Sequence, residues 1–368
     1  MTRRLRYAVV GVGAAVYAMH RPALLGETAE VVGVTDLNEA VGRERAAELG
    51  CESYPDLGTM LRAAQPEVVA VLTPHPLHAP MAIACLRAGA HVLVEKPLAV
   101  QAGEADAMIR AAAEAGRILA VSFQQRLRPE VVRAAELVRS GALGRPQHLD
   151  LAASWPRTAA YYRLGSWRAT WAGEGGGVLM NQAPHDLDLV CHLLGLPRRV
   201  VAWTRTAVHT IETEDTVQAM LEWAGGTLGS VHISTAEGGR PARLELLGTR
   251  GLLQVGAGTL AFGRFDEDLT DFLVENPEPF ASPALKPVPL ELPPGAGDHE
   301  AVYRDLYRAV TEGTPVSADG ASARLSLELA NAMILSSHLR ETVELPLDRD
   351  RYAALLGDLK RGYRVGGP

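Results

Sequence analysis

Cysteine is scarce in this chain, and its three cysteines, Cys51, Cys85 and Cys191, lie far apart. Their separations match no cysteine-based metal motif, and an odd, sparse set argues against a disulfide framework. His192 follows His185 by seven positions, but no third ligand stands at a suitable spacing. We therefore expect buried thiols, a reducing compartment and no metal ion.

Long hydrophobic runs are also missing. No stretch approaches the ~20 apolar residues that a membrane-spanning helix needs. The basic segment 1–6 precedes an apolar run at 7–10 that is too short for a signal peptide and is typical of a first strand. We expect no membrane partner and a cytoplasmic protein.

Positive charge is not in excess, because the formal net charge is -7. The sequence therefore offers a nucleic-acid partner no electrostatic attraction, and none is expected. A length of 368 residues with 47% hydrophobic content suits two domains better than one. We place the first domain at 1–123 and the second at 124–368.

A glycine-rich turn follows the first predicted strand, at 5–10, and a second strand at 31–35 ends at Asp36. Gly11 permits a tight turn, Gly13 lets the backbone approach a pyrophosphate, and the helix N-terminus after them offers N–H donors. These features predict a dinucleotide site. Its residues are Gly11, Gly13, Ala14, Ala15 and Asp36.

Asp36 would accept hydrogen bonds from the ribose hydroxyls and repel a 2′-phosphate, which favours NAD over NADP. Asn38 and Arg43 nearby leave NADP as the second candidate. Val16 stands where the motif has its third glycine. The alternative is therefore an ordinary strand–helix turn beside an exposed aspartate.

Apolar runs that predict strands continue to alternate with helical patterns, with strands over 68–72, 91–94 and 118–122. This alternation is typical of a doubly wound parallel sheet, in which ligands bind at the carboxyl ends of the strands. Four residues stand at such ends: Gly11, Asp36, Thr73 and Lys96. Lys96 is either a solvated surface charge or a donor that points into the cofactor cleft and binds a substrate hydroxyl.

The segment 175–188 holds three glycines followed by Asn181 and His185, which a helix would place one turn apart on one face. A histidine can exchange a proton near neutral pH, and an amide can orient it. The alternative is an ordinary structural histidine. Pro184 conflicts with a regular helix. Either Asn181 caps a helix that begins late, or a helix begins near residue 177 and Pro184 kinks it.

The second half predicts a large, mainly antiparallel open sheet. Runs over 217–223 and 227–234 flank one glycine turn, and runs over 244–247 and 252–255 flank another, as in two hairpins. The fold class is therefore α/β plus α+β, an N-terminal doubly wound Rossmann domain followed by this sheet domain.

A proline-rich loop over 276–297 precedes two closing helices, about 298–312 and 320–340. We expect these closing helices, at 298–340, to pack back on the first domain.

Aromatic and arginine side chains precede the glycine run and can stack on a sugar ring or bind a carboxylate, although packing within a loop is the alternative. Candidate substrate contacts are Tyr162, Trp167, Arg168, Asn181 and His185. Three other histidines, His20, His75 and His78, are expected to be structural or loop residues.

These pieces, in this order, resemble the large glucose-fructose oxidoreductase / inositol dehydrogenase / rhizopine-catabolism (Gfo/Idh/MocA) family. The resemblance spans nearly the whole chain. It rests on Gly11-Val12-Gly13, Asp36, Thr73-Pro74 with His78, the run from Ala88 to Leu98, Gln124, Arg126, Pro129, Trp167-Arg168 and the segment from Gly175 to Asp188. It adds Thr73, Pro74, His78, Glu95 and Lys96 to the expected cofactor contacts, and it favours Arg126 and Arg168 as substrate contacts.

The family's glutamate-lysine-proline motif falls on Glu95, Lys96 and Pro97. Its aspartate-x3-histidine pair falls on Asn181 and His185, so this chain departs at the first member. Asparagine cannot act as a base, but it can orient His185 or bind a substrate hydroxyl.

The resemblance implies a nicotinamide-dependent dehydrogenase of a sugar, polyol or sugar derivative. His185 would take the hydroxyl proton, Lys96 would stabilise the oxygen and Asn181 would position the alcohol. The resemblance also implies a homodimer or homotetramer that associates through the second domain's sheet. Two alternatives stay open: NAD-assisted glycoside cleavage or elimination with a recycled cofactor, and a non-catalytic nucleotide or sugar sensor.

Overall fold

The structure is a computed structural model that describes residues 3–362. These residues form two compact units. The first comprises residues 3–127, 172–175 and 297–327, and the second comprises residues 128–171, 176–296 and 328–362. The first unit thus takes its residues from three stretches of the chain, whereas we placed one boundary between residues 123 and 124.

The strands are β1 (Leu5–Val10), β2 (Ala29–Thr35), β3 (Glu52–Tyr54), β4 (Val68–Val71), β5 (His91–Val94), β6 (Leu119–Val121), β7 (Pro146–Ser154), β8 (Arg199–Arg205), β9 (Thr216–Glu222), β10 (Leu228–Ser234), β11 (Arg243–Gly248), β12 (Gly251–Gly256), β13 (Thr259–Phe265), β14 (Leu285–Pro287) and β15 (Val343–Glu344). The helices are α1 (Tyr17–Leu24), α2 (Glu39–Leu49), α3 (Leu57–Ala64), α4 (His78–Arg87), α5 (Ala102–Ala115), α6 (Pro129–Arg139), α7 (Ala159–Tyr162), α8 (Val178–Asn181), α9 (Pro184–Leu194), α10 (Leu269–Glu275), α11 (His299–Glu312), α12 (Gly320–Leu339) and α13 (Arg349–Lys360).

The first unit contains a parallel six-stranded sheet in the order β3-β2-β1-β4-β5-β6, which confirms the doubly wound prediction. The strand order reverses between β1 and β4, the place where such sheets bind ligands. Strand β3 is a short, partly exposed segment that the hydrophobic pattern did not predict.

Helix α11 contributes to the core of the first unit. Val302, Tyr303 and Leu306 lie in the same buried cluster as Tyr7 of β1 and Leu93 of β5. The bounds of α11 and α12 agree with the two closing helices predicted near 298–312 and 320–340.

The second unit contains a nine-stranded sheet in the order β14-β13-β12-β11-β7-β10-β9-β8-β15. All its strand pairs are antiparallel except β7 with β10, so the predicted mainly antiparallel sheet is confirmed. Both predicted hairpins, β9–β10 and β11–β12, are present.

The cysteines are free thiols, of which Cys85 and Cys191 are buried and Cys51 is half-buried. Within residues 3–362, no helix combines the length and the hydrophobicity that a bilayer crossing requires.

Candidate active site

The glycine turn after β1 has no room for a side chain. Gly11 has a φ of +87°, and a Cβ there would lie 3.0 Å from the carbonyl carbon of Leu72 and from Cγ2 of Thr73. The turn leads into α1, whose N-terminus has no side-chain cap among the described residues. The backbone N–H groups of Tyr17 and Met19 donate to the carbonyl oxygens of Ala14 and Val16, at 3.0 and 2.9 Å. The binding of an anionic ligand at this helix end stays a prediction.

Asp36 follows β2 and holds this turn in place. Its Oδ2 accepts the backbone N–H of Gly13 at 2.7 Å, and its Oδ1 accepts that of Asn38 at 2.9 Å. A carboxylate has about four acceptor positions, so Asp36 can bind these N–H groups and ribose hydroxyls together. Ala14 and Ala15 lie in the same turn, with Ala15 exposed.

Three buried side-chain oxygen atoms of the first unit have no hydrogen-bond partner anywhere in residues 3–362: Thr73 Oγ1, Ser122 Oγ and Gln124 Oε1. Thr73 follows β4, and the other two follow β6, so all three lie beyond carboxyl ends of strands. An unpaired buried group of this kind costs roughly 1–3 kcal/mol. A polar ligand such as a dinucleotide would supply the missing partners, so these residues fit the predicted cofactor. Of the three, Ser122 was not predicted, because a serine at the end of a strand belongs to no recognised motif.

Lys96 is half-buried just beyond the end of β5, next to the buried Glu95. The Lys96 backbone N–H donates to Oε2 of Glu95 at 3.2 Å. Burial alone would raise the pKa of Glu95, but hydrogen bonds from His20 and His299 hold that pKa well below its ordinary value. The lysine therefore follows a carboxylate that stays ionised.

His78, at the start of α4, is fully buried and braces two turns of the first unit. Its Nδ1 lies 2.8 Å from the carbonyl oxygen of Pro97, and its Nε2 lies 2.7 Å from that of Thr73. Pro74 precedes the short 3-10 helix that leads into α4. Both ring nitrogens thus face the main chain, which agrees with the structural role expected of His78, and its contact with the cofactor stays a prediction.

Arg126 is buried within the first unit. Its Nη1 donates to the carbonyl oxygen of Ser317 and to Oγ of Ser322, both at 2.9 Å. Its guanidinium also lies 5.8 Å from the ring centroid of Phe123. These contacts join Arg126 to the segment that enters α12, and its contact with a substrate stays a prediction.

In the second unit, Gly177 begins the segment that carries Asn181 and His185. A Cβ on Gly177 would lie 1.9 Å from the carbonyl oxygen of Glu214. The Glu214 carboxylate accepts the N–H of Gly177 at 2.9 Å and that of Leu179 at 3.0 Å, which caps α8. Only glycine fits at position 177, because the main chain of Glu214 passes too close to leave room for a side chain.

Pro184 interrupts the helix that begins after Gly177. Helix α8 ends at Asn181, and α9 starts at Pro184, which occupies its first turn. The structure combines parts of the two alternatives, because one short helix begins near residue 177 and a second begins late, at Pro184, with a break between them in place of a kink. Asn181 caps neither helix, since the second is capped at Ala183. Asn181 and His185, both half-buried, lie on two consecutive short helices and not on one.

Tyr161 is the centre of a hydrogen-bond network around Asn181. Its hydroxyl donates to Oδ1 of Asn181 at 3.2 Å and accepts Nη1 of Arg168 at 2.8 Å and Nε2 of Gln182 at 3.1 Å. The Arg168 guanidinium lies 4.6 Å from the ring centroids of both Tyr161 and Trp167. The structure thus brings Arg168, Trp167 and Asn181 together, as the predicted substrate contacts require.

Tyr162, which the sequence analysis selected, belongs to a different cluster. Its hydroxyl lies 2.8 Å from Oγ1 of Thr235, and its ring lies 4.7 Å from that of His209. Neighbouring residues of α7 point in different directions, so the Tyr-Tyr pair alone could not show which one meets Asn181. Tyr162 was therefore selected as the substrate contact, whereas Tyr161 is the residue that meets Asn181.

Asp186, next to His185, is a buried carboxyl group. Burial raises its pKa to about 7, although the Trp155 indole N–H, which donates to Oδ2 at 2.8 Å, and the charge of Arg128 act in the opposite direction. The residue beside the predicted catalytic histidine therefore changes its protonation near neutral pH.

Two models of one protein family match the chain. The model described as an oxidoreductase family with an NAD-binding Rossmann fold matches residues 5–123. The model described as the GFO/IDH/MocA C-terminal domain matches residues 131–254.

Individual proteins resemble the chain over different lengths. A 1-carboxy-3-chloro-3,4-dihydroxycyclohexa-1,5-diene dehydrogenase of Comamonas testosteroni is 33% identical over 50% of this chain and 46% of its own length, so that match covers about half of each. An inositol 2-dehydrogenase of Rubrobacter xylanophilus is 31% identical over 69% of this chain and 72% of its own. The crystal structure of the WlbA dehydrogenase of Bordetella pertussis, in complex with NADH and UDP-GlcNAcA, has a TM-score of 0.80 and 28% identity, and covers 94% of this chain and 100% of that one.

Proposed function

Since this chain belongs to the Gfo/Idh/MocA family of oxidoreductases, we propose that it transfers hydride between NAD and a secondary hydroxyl of a sugar, polyol or sugar derivative. The observation that carries the proposal is the match of both halves of the chain to the two domains of this family. When bound, NAD supplies the hydride acceptor or donor. The buried orphan atoms of Thr73, Ser122 and Gln124 support its binding to the first unit.

We assign the proton transfer to His185 and the stabilisation of the negative charge that develops on the substrate oxygen to Lys96. Asn181 would orient the alcohol, and its own orientation is supported by the hydroxyl of Tyr161 at 3.2 Å. Arg168 and Trp167 would supply a cation and an aromatic surface for the sugar. The carboxylate of Asp36 supports NAD over NADP, because it would repel a 2′-phosphate.

The test is a spectrophotometric assay for NADH with NAD, or NADP in parallel, and a panel of sugars, polyols and nucleotide sugars. The panel begins with inositol and UDP-GlcNAcA. One protein similar to this chain is named an inositol 2-dehydrogenase, and another was crystallised with UDP-GlcNAcA. Net NADH and a keto product support the proposal. Release of an aglycone without net NADH would show cofactor recycling, and ligand binding without turnover would show a sensor; either result contradicts the proposal.

We further propose that the protein forms a homodimer or homotetramer through the nine-stranded sheet. Trp203 of β8, Met220 of β9 and Leu228 of β10 are 50%, 46% and 49% exposed. Their register places them on one face of three neighbouring strands. Exposed apolar side chains on one face are typical of a protein–protein contact.

We also propose a cytoplasmic location. The free thiols support a reducing compartment, and cell fractionation would test it.

A further inference from the structure

A buried cluster of the first unit, formed by His20, Glu95, His299 and Tyr303, has no role in the chemistry described above. Oε1 of Glu95 lies 2.9 Å from Nε2 of His20 and 3.4 Å from Nε2 of His299. Nδ1 of His20 lies 3.1 Å from the hydroxyl of Tyr303. All four side chains are less than a tenth exposed.

The proton positions in this cluster follow from its acceptors. The ionised carboxylate of Glu95 can only accept, so Nε2 of His20 carries a hydrogen and donates to it. Burial raises the pKa of Tyr303 well above its ordinary value, so its hydroxyl keeps a proton. Nδ1 of His20 faces that hydroxyl at 3.1 Å, on the side of the ring away from Glu95. The cluster thus forms a chain of contacts from Tyr303 through His20 to Glu95.

Nitrogen and oxygen atoms of His20, Glu95 and His299 lie within 4.8 Å of one another, which would also suit a metal ion. The hydrogen-bond arrangement argues against one. Nε2 of His20 already donates to Glu95, and its Nδ1 is occupied by Tyr303. His20 would have to give up one of these two hydrogen bonds to bind a metal ion.

The second oxygen of Glu95 connects this chain to Lys96. Oε2 accepts the backbone N–H of Lys96 at 3.2 Å, while Oε1 is held by His20. Both oxygens are thus fixed, one by α1 and one by the main chain of the lysine. Helix α1 is also the helix that begins at the glycine turn, so the cluster joins the dinucleotide turn to the lysine.

We propose that His20 is a positioning residue for the reaction, which through Glu95 holds the main chain of Lys96 and so sets the place of its ammonium group. The inference rests on the proposed function, in which Lys96 stabilises the substrate oxygen. A catalytic group that moves by about 1 Å can lose roughly 10²-fold in rate. Tyr303 acts one step further away, because it orients the His20 ring.

The kinetic test compares His20→Ala with His20→Gln in the full chain. The glutamine amide nitrogen reaches nearly the place of Nε2 and can donate to Glu95, whereas alanine cannot. We expect His20→Ala to lower kcat by roughly 10²-fold with little change in KM, and His20→Gln to retain most of the activity. Equal loss in both variants, or normal kcat in His20→Ala, would overturn the proposal.

Two further variants make the comparison specific. His91→Gln changes a histidine at the opposite end of β5, where Nδ1 accepts the N–H of Ile118 at 3.0 Å, and should leave kcat unchanged. Tyr303→Phe removes only the hydroxyl that orients His20 and should lower kcat several-fold. If His20→Ala does not fold, Tyr303→Phe and His20→Gln carry the test, and normal kcat in Tyr303→Phe then counts against the proposal.

A second measurement does not depend on turnover. The chain has three lysines, Lys96, Lys286 and Lys360, so carbon-13 methylation gives few NMR signals, and Lys96→Met assigns one of them. We expect His20→Ala to move the Lys96 signal and to leave the other two in place. An unchanged Lys96 signal overturns the positioning role even in an active enzyme. A shifted signal in a protein that oxidises nothing overturns the proposed function alone.

Discussion

Gly13 and Asp36 are in direct contact at the nucleotide turn, and the contact leaves little room for a side chain at position 13. The N–H of Gly13 donates to Oδ2 of Asp36 at 2.7 Å, and a Cβ on Gly13 would lie 3.0 Å from that same oxygen. Asp36 therefore has two tasks, since it holds the turn and presents acceptors to the ribose. A substitution at Asp36 should affect both the affinity for NAD and the preference over NADP.

We expect Asp36→Ala to weaken NAD binding roughly 10- to 100-fold, because hydrogen bonds to a charged group contribute about 1.5–3 kcal/mol. NADP should lose less affinity, since the repulsion of its phosphate disappears. Titration calorimetry with both cofactors measures the two effects. Glu39→Gln is the control, because Glu39 is an exposed acid nearby that pairs with Arg43. An equal loss for NAD and NADP would contradict the assigned role.

Lys96→Met and His185→Ala should each lower kcat by roughly 10²-fold or more, the usual magnitude for lost acid–base or electrostatic assistance. Lys286→Met and His232→Ala are matched controls. Lys286 forms an exposed pair with Asp266, and His232 lies on the sheet beside Gln218. Steady-state kinetics on an identified substrate gives the comparison. Near-normal rates in both test variants would refute the assignment.

Gly177→Ala should destabilise the second unit by at least 1–3 kcal/mol, the usual effect of overpacking. Its new Cβ would meet the carbonyl oxygen of Glu214 at 1.9 Å, and a backbone atom cannot move aside cheaply. Gly225→Ala is the control, because a Cβ there has no neighbour within 4 Å. Urea unfolding measures both variants. Similar stabilities for the two variants would contradict the prediction, because the main chain around α8 would then have moved to accept the new Cβ at little cost.

Asp186 makes stability depend on pH. An unfolded aspartate loses its proton near 3.8, whereas buried Asp186 keeps it until pH reaches about 7. Between these values the folded chain binds more protons than the unfolded chain, so the free energy of unfolding falls as pH rises. The fall is complete above pH ~7 and amounts to roughly 4 kcal/mol.

Asp186→Asn keeps an acceptor for the Trp155 indole and cannot ionise. Its stability relative to the natural chain should therefore grow between pH 4 and pH 8, as urea unfolding at several pH values would show. Asp266→Asn, at an exposed carboxylate, should show no such trend. A stability difference that stays constant with pH would mean that Asp186 does not titrate in this range.

Trp203→Glu should dissociate the proposed oligomer, because it places a charge on the exposed apolar face of β8, β9 and β10. Light scattering after size-exclusion chromatography gives the mass. Leu273→Glu alters a residue of α10 that is 67% exposed and lies outside the sheet, and it should leave the mass unchanged. An oligomer that persists in Trp203→Glu would assign the contact to another surface.

Local sequence patterns predicted most of the fold, since five of the six strands of the first sheet are mainly apolar runs that alternate with helical patterns. β3 was missed because its residues are partly exposed. The glycine turn and Lys96 could be placed because a motif defines them. His20 could not, since its partners Glu95 and Tyr303 lie far away in the sequence and only the fold brings them together.

Arg126 and Tyr162 show the same limit. Their residue types suit substrate binding, but the direction of a side chain depends on neighbours such as Ser322 and Thr235, which no local pattern identifies. Pro184 is the opposite case. Its ring chemistry restricts the helix so strongly that the sequence excluded a straight helix through residue 184, although it predicted a late start or a kink in place of the break.

The place of α11 in the core of the first unit has a consequence for biosynthesis. The ribosome releases the six strands of the first sheet early, but Val302, Tyr303 and Leu306, which complete their buried cluster, emerge only after eight of the nine strands of the other sheet. Domains commonly fold as they are made, N-terminal first. Here the first sheet is synthesised before the helix that covers part of its core, so apolar residues of that core stay exposed until α11 emerges. These exposed residues would be the binding surface for a chaperone during synthesis.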